Sequence, residues 1–424
     1  MRKAKWMRPG RGSGAIGGTM GKKKQKKWMK LRHRLITGFL KIFLGPYCRL
    51  TYGVEMVPFR EQGNRAYLIL FNHTTAYDQF FVGMSFRGPV YYMATEDIFS
   101  MGWVSSLIRW LVEPIPIRKQ TTDVKAVMNC IRVAREGGTI ALAPEGNRTY
   151  SGRTGYMNPA IASLAKKLGL PIALYRIEGG YGVQPRWTDK LRRGKMKSYV
   201  ARVIEPEEYA NMTADQLMEE ISKGLYVDEA VVDGLYKSNR RAEYMERALY
   251  VCPRCGFAEF ASSGNHVSCK TCGMQVEYGE DKRLQGVGFD LPFEFMADWY
   301  AYQEDFVNGQ DIGKLTDAPI FRDRADLSEV IVYERKVPLR QGVTIQLFGD
   351  RVVLDGGSEQ EMIFPFAQTS AITVLGRNKM NIYFGDKIYQ FKGEKSFNPL
   401  KYVHIYHRFK NIDRGNADGK FLGL

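Results

Sequence analysis

Between residues 60 and 225 short apolar runs alternate with stretches of helical period, and this alternation excludes most folds before any motif is read. AYLILFN (66–72) and PVYYMA (89–94) read as strands. SMGWVSSLIRWLV (100–112) carries Val104, Leu107, Ile108 and Leu111 on one helical face. A short PIPI (114–117) precedes a helix with Val124, Val127, Met128 and Ile131, stopped by Gly137-Gly138. TIALAP (139–144) is a further strand. The helix of 158–169 opens on Asn158 and Pro159 and closes on Gly169. PIALYRIEG (171–179) and KSYVARVIEP (197–206) add strands, and Thr213 with Gln216 forms a capping box for a last helix. Strands alternating with helices imply an α/β layer domain with a mixed, mostly parallel sheet.

Charge is concentrated ahead of this domain. Of 62 basic residues, 13 lie in residues 1–34, which hold no acid; the remaining 49 face 45 acidic residues. The Gly-rich arm of 1–27 reads as disordered and attractive to nucleic acid or anionic lipid. Its Trp6, with Trp28 just beyond it, favours a bilayer interface, where indoles settle. In 28–58, Lys30, Arg34, Thr37 and Lys41 mark a polar side, and Leu31, Leu35, Ile36, Phe39, Leu40, Ile42 and Phe43 an apolar one. Lys41, Gly45-Pro46 and Arg49 interrupt the apolar run too early for a spanning helix. Such a segment serves as a membrane-surface anchor or packs on its own domain.

Near residue 250 the chain changes character. Cys252 and Cys255, then Cys269 and Cys272, form two C-x-x-C knuckles, each followed by glycine, at Gly256 and Gly273. That spacing predicts a closed, structural four-thiolate Zn²⁺ site with no open position for substrate. His266 lies within this ribbon but is not needed as a ligand, and Cys48 and Cys130 sit in apolar helical patterns as packing residues. Beyond a helix in 291–309, EVIVYERKV (329–337), EMIFPFAQ (361–368) and SAITVLG (370–376) read as strands. VTIQLFGDRVVL and NIYFGDKIYQF read as hairpins turning at Gly-Asp. A last helix opens on Asn398-Pro399. Consecutive antiparallel strands closed by one helix resemble a pleckstrin-homology (PH)-like barrel.

Outside the basic arm, the α/β domain has one histidine, His73, followed by Asp78. Arg118 ends one strand, and Glu145, Gly146 and Arg148 follow another. Open α/β sheets assemble their sites at strand C-termini. A histidine beside an acid, with no serine or cysteine nucleophile motif, fits a general base acting on a hydroxyl. Two arginines on neighbouring loops fit a phosphate gripped bidentately. Base, clamp and surface anchor together point to a phosphorylated lipid acceptor.

These residues also carry a resemblance. NHTTAYD looks like the NH-x4-D motif of the glycerolipid acyltransferases, and APEGNRT resembles their F-PEGTRS motif. PIPIR and LPIAL (170–174) stand in the places of the other two motifs, all four in order. This combination is similar to the 1-acylglycerol-3-phosphate (lysophosphatidate) acyltransferases. The resemblance implies acyl transfer from acyl-CoA or acyl carrier protein to a lysophospholipid, without a catalytic cofactor. By position, His73 would be the base, Asp78 its orienting carboxylate, and Arg118, Glu145, Gly146 and Arg148 the glycerol-phosphate pocket. Backbone amides near His73 or Gly146 are candidates for holding the oxyanion. Ala143, Asn147 and Thr95 depart from the family pattern, which bears on the identity of the acceptor.

The expected plan is a basic arm (1–27), amphipathic membrane-surface helices (28–58), an acyltransferase domain (59–245), a zinc ribbon (246–285) and a helix with a PH-like β-rich domain (286–424). The expected place is the cytoplasmic face of the cell membrane, peripheral or monotopic, on an anionic surface. A catalytically inactive lipid-binding or regulatory scaffold is the alternative, and a hydrolase of acyl thioesters another. Nucleic acid is the weaker partner: residues 250–285 hold only Arg254, Lys270, Lys282 and Arg283 against several acids.

Overall fold

The computed structural model describes residues 27–100, 102–117, 123–332 and 334–423. Seven strands build the first sheet: β1 (Val54–Met56), β2 (Leu68–Phe71), β3 (Val90–Thr95), β4 (Ile115–Ile117), β5 (Thr139–Leu142), β6 (Ile172–Glu178) and β7 (Met196–Ile204). Their spatial order is β1-β7-β6-β2-β5-β3-β4. Only β6 and β7 run antiparallel, so the sheet is mixed and mostly parallel. The central strands β2 and β5 are buried at every position, because both faces of the sheet are covered.

The helices covering it are α1 (Leu31–Tyr52), α2 (Asp78–Ser85), α3 (Trp103–Val112), α4 (Val124–Arg135) and α5 (Ala160–Leu168), with a later helix at Ala214–Leu225. Side chains along β2 alternate between the two faces. Leu68 and Leu70 share a buried cluster with Cys130 of α4, Ala165 of α5 and Leu217. Ile69 and Phe71 share the opposite cluster with Cys48 and Tyr52 of α1 and Phe81 of α2. Both Cys48 and Cys130 are thus packing residues, as their patterns implied.

Helix α1 is one continuous helix through Pro46 rather than several. The side it turns inward is mixed, with Ile36, Leu40, Leu44, Cys48 and Tyr52 beside His33, Thr37 and Lys41, while Arg34 and Arg49 are exposed. His33 is buried against the Tyr91 hydroxyl at 3.0 Å, and the Lys41 ammonium donates to the Phe86 carbonyl. Leu31, Leu35, Phe39, Ile42, Phe43 and Leu50 face outward, Leu50 at 87% exposure. On α3 next to it, Trp103 and Trp110 are exposed as well. Trp28 is not free for an interface. Its indole donates to the Glu113 carbonyl at 3.0 Å, and its backbone amide donates at 3.0 Å to the carboxylate of Glu136, just past α4. Trp6 lies outside the described residues. Among the described residues, no helix is long and apolar enough to cross a membrane.

The cysteine segment forms a small hairpin (Val251–Cys252 with Gly256–Phe257) and a four-stranded antiparallel sheet running from Phe260–Ser263 to Leu284–Gly286. The C-terminal region is a seven-stranded antiparallel sheet in which the first strand, Phe321–Ile331, pairs with both the second, Arg335–Leu347, and the last, Lys387–Gly393. Its edge strands, Met362–Pro365 and Thr369–Leu375, are joined only by residues 366–368, so the sheet must curl toward closure. EVIVYERKV is not one strand. The chain reverses inside it, between Ile331 and Arg335, because the charged but alternating FRDRADL ahead of it already belongs to the first strand. Both Gly-Asp pairs sit at hairpin turns. Helix Leu400–Asp413 closes this region, opened by Asn398, whose side-chain oxygen accepts from Leu400 N at 2.9 Å. One buried cluster links Tyr150, Tyr181 and Trp187 of the first domain to the cysteine segment and the C-terminal sheet.

Candidate active site

Strand β2 delivers the histidine. Just past its end, the Asn72 side-chain amide exchanges two 2.8 Å hydrogen bonds with the Ile177 backbone of β6, fixing where the strand stops. The chain then turns, and α2 begins at Asp78 itself. His73 Nδ1 lies 2.8 Å from Asp78 Oδ2. Asp78 is fully buried and accepts from Thr74 N at 2.7 Å, from Thr75 N at 3.0 Å and from the Thr75 hydroxyl at 2.6 Å. An ionised carboxylate only accepts, so Nδ1 carries the proton and Nε2 keeps its lone pair. The imidazole is 25% exposed. Neither threonine caps α2: Tyr77 holds that position, and Thr75 Oγ1 accepts from Tyr77 N at 3.1 Å while giving its own proton to Asp78.

The loop after β5 clamps the histidine backbone. Ala143 to Gly146 form a turn closed by Gly146 N donating to the Ala143 carbonyl at 3.0 Å, and Gly146 sits at φ +69°, where a side chain would strain. Glu145 is buried, and its two oxygens accept from His73 N at 2.8 Å and Gly155 N at 2.7 Å. Thr149 N donates to the His73 carbonyl at 3.1 Å. Glu145 therefore ties two loops together instead of standing free for a substrate. Burial pushes its carboxyl up to about 7, against the pull of the two amides. The amides of His73 and Gly146 themselves are both engaged, which leaves other amides near them as the oxyanion candidates.

Arg148 leaves the same loop toward Arg186. Arg148 Nη2 donates to the Arg186 carbonyl at 3.3 Å, and Arg186 Nη1 returns a bond to the Arg148 carbonyl at 2.8 Å. Burial first, then the charges of Arg186 and Arg377, draw Arg148 down to about 10. Arg118, the remaining expected member, lies outside the described residues.

Three contributors escaped sequence reading. Gln184 accepts from Ala76 N at 3.0 Å, steadying the turn. Gly180 presses on it: a Cβ there would meet Thr74 Oγ1 at 2.2 Å. Arg186 is the third. The short segment Gly180–Val183 and the residues after it follow β6, and nothing in their spacing announces a site.

The match to known proteins covers this region. Residues 51–177 match the Acyltransferase family model, and the span contains His73, Asp78, Glu145, Gly146 and Arg148. That segment lies in an acyltransferase-like α/β domain. A solved structure similar to the chain is the 1-acyl-sn-glycerophosphate (LPA) acyltransferase PlsC from Thermotoga maritima, at 19% identity and a TM-score of 0.37. The similarity covers 46% of this chain and 78% of that one. No curated protein matches the chain.

Far along the chain from the matched segment, Cys252, Cys255, Cys269 and Cys272 bring their sulfurs within 4.8 Å of one another. The pairs Cys252–Cys272 and Cys255–Cys269 stand 3.6 Å apart, too far for disulfides. Four sulfurs on a tetrahedral ion at about 2.3 Å would lie about 3.8 Å apart. The donor set therefore fits Zn²⁺. His266 is not part of the cluster.

Proposed function

We propose that the protein moves a fatty acyl group from an acyl thioester, acyl-CoA or acyl carrier protein, to the free hydroxyl of a lysophospholipid, with lysophosphatidate the foremost acceptor. The observation that carries this reading is the His73–Asp78 pair at 2.8 Å, within a segment that matches the acyltransferase family. His73 Nε2 takes the acceptor's hydroxyl proton as the oxygen attacks the thioester carbonyl. The C–O bond forms, the C–S bond breaks, and the proton passes to the leaving thiolate. Asp78 holds the ring and offsets the charge of the imidazolium between those steps. Arg148 binds the acceptor's phosphate, Arg118 is assigned there by its motif alone, and Glu145 and Gly146 shape the loop that carries Arg148.

The outward apolar side of α1, with Trp103 and Trp110 of α3, supports docking on a membrane surface, and the anionic surface and cytoplasmic face are proposed with it. The strand order and closing helix of the C-terminal region support a PH-like domain. The cysteine cluster would hold a structural Zn²⁺, supplying a crosslink and no catalytic step. Metal analysis tests this: one zinc per chain is expected, lost in Cys269→Ser, and a zinc-free folded chain refutes it.

The decisive assay follows labelled acyl chains from either donor to a panel of lysolipids. Wild type should be active and His73→Ala slower by about 10²- to 10⁴-fold. Equal inactivity of both, with lipid binding intact, would instead mark a lipid-binding scaffold.

A further inference from the structure

We infer that Arg377, on the turn between strands Thr369–Leu375 and Lys379–Phe384 of the C-terminal sheet, completes with Arg148 and Arg186 the site that takes the acceptor's phosphomonoester. The assignment of the ligand rests on the acyl-transfer reading above; the cation cluster itself does not. Arg148 and Arg186 each donate to the other's carbonyl, which holds two like charges side by side. Arg148 Nη1 is buried with no hydrogen-bond partner among the described residues. Arg186 is buried too, its guanidinium 4.3 Å from the centre of the Tyr150 ring.

Arg377 reaches this cluster from the other half of the chain. Its Nη1 forms an ion pair with Asp189 Oδ1 at 3.2 Å, and the same oxygen accepts from Arg247 Nη1 at 2.7 Å. Arg247 is itself buried and also donates to the carbonyls of Trp187 and Lys395, so the contact between the two halves is firmly held. One carboxylate shared by two guanidinium groups leaves the four arginines with excess positive charge. Arg186 and Arg377 both lie near enough to Arg148 to act on its ionisation, and so, in the opposite direction and less strongly, does Asp78, whose carboxylate is already engaged with His73 and Thr75. Buried cations without matching anions are costly, and a dianionic phosphate bridging planar guanidinium groups would relieve that cost. The loop carrying Arg148 is bonded to the His73 backbone through Thr149, so a phosphate there sits one loop away from the base. The C-terminal domain thus supplies part of the acceptor site and does more than tether the enzyme.

Calorimetric titration of sn-glycerol 3-phosphate into the full-length protein tests this, using Arg377→Ala, Arg377→Lys and, as control, Lys387→Ala. Lys387 lies on the same sheet and pairs with Glu329. Losing one charge-assisted contact to phosphate should weaken binding about tenfold or more in Arg377→Ala. Arg377→Lys should recover part of that, and Lys387→Ala should bind like wild type. Equal affinity of Arg377→Ala and wild type overturns the inference, as does an equal loss in Lys387→Ala. In steady state, KM for lysophosphatidate should rise by the same factor in Arg377→Ala, with kcat and the donor's KM changed by no more than about twofold. Equal rises in both KM values would overturn the assignment. Inorganic phosphate bound at this site that lysophosphatidate fails to displace would also overturn it. If glycerol 3-phosphate binds through Arg377 but wild type transfers no acyl chain, the anion site stands and the acyl-transfer reading falls.

Discussion

The turn at His73 and the loop at Arg148 both leave the C-terminal ends of adjacent parallel strands, yet they are finished in opposite ways. At the first, the carboxylate itself is fully engaged: Asp78 accepts from His73, two backbone amides and the Thr75 hydroxyl, although the Thr74 hydroxyl beside it is buried without a partner among the described residues. At the second, Arg247 and Arg377 share the carboxylate of Asp189, Arg148 and Arg186 bond to each other's carbonyls, and Arg148 Nη1 has no partner among the described residues. A group that must present one nitrogen in one orientation is built closed, so that nothing competes for its proton. On the phosphate reading proposed above, the second is left short of anions because the ligand brings them.

Substitutions can break this contrast. Asp78→Asn should have the largest effect, lowering kcat about 10³-fold with little change in the acceptor's KM, because the imidazolium loses its counter-charge. A variant that mainly raised KM would put Asp78 in the binding half of the comparison. Arg148→Ala should do the reverse, raising the acceptor's KM about tenfold or more while kcat moves less. Progress curves at saturating lysophosphatidate separate the two, and a loss that saturation fails to rescue would count against the phosphate role.

Glu145 sharpens the comparison from the side of stability. Its folded pKa of about 7 lies above the ordinary 4.5, so folding takes up a proton between those values. Its contribution is fully present below pH 4.5 and is lost as pH rises toward 7, by about 3 kcal/mol. Glu304, raised to about 7 mainly by burial, shares the window. Glu145→Gln should flatten part of this slope in thermal melts run from about pH 4 to about pH 8. It should also cost about 1–3 kcal/mol outright, since its NH₂ would face one of two amide donors. An unchanged slope would mean that Glu145 stays ionised in the folded protein.

Much of the site was legible because its signals are local. A strand that empties into NHTTAYD cannot bring His73 and Asp78 together on one straight helix, so a strand-to-helix turn was the geometry to expect. The Thr213–Gln216 capping box and the clustering of four cysteines were readable for the same reason, each resting on neighbours a few residues apart. Glu145 was named as a site residue, but its partners, the amides of His73 and Gly155, could not be read from its motif. Arg186 and Gly180 carried no local sign at all.

By itself, the sequence determined the α/β alternation of the first domain, the pairing of His73 with Asp78, and the grouping of the four cysteines, since hydrophobic period, turn chemistry and ligand spacing act over short range. Only the tertiary structure decided which side of α1 turns outward, which amides Glu145 holds, and that Arg377 comes near Arg148. Those outcomes depend on which surfaces are desolvated together, and burial and charge balance are properties of the packed chain rather than of any stretch of it.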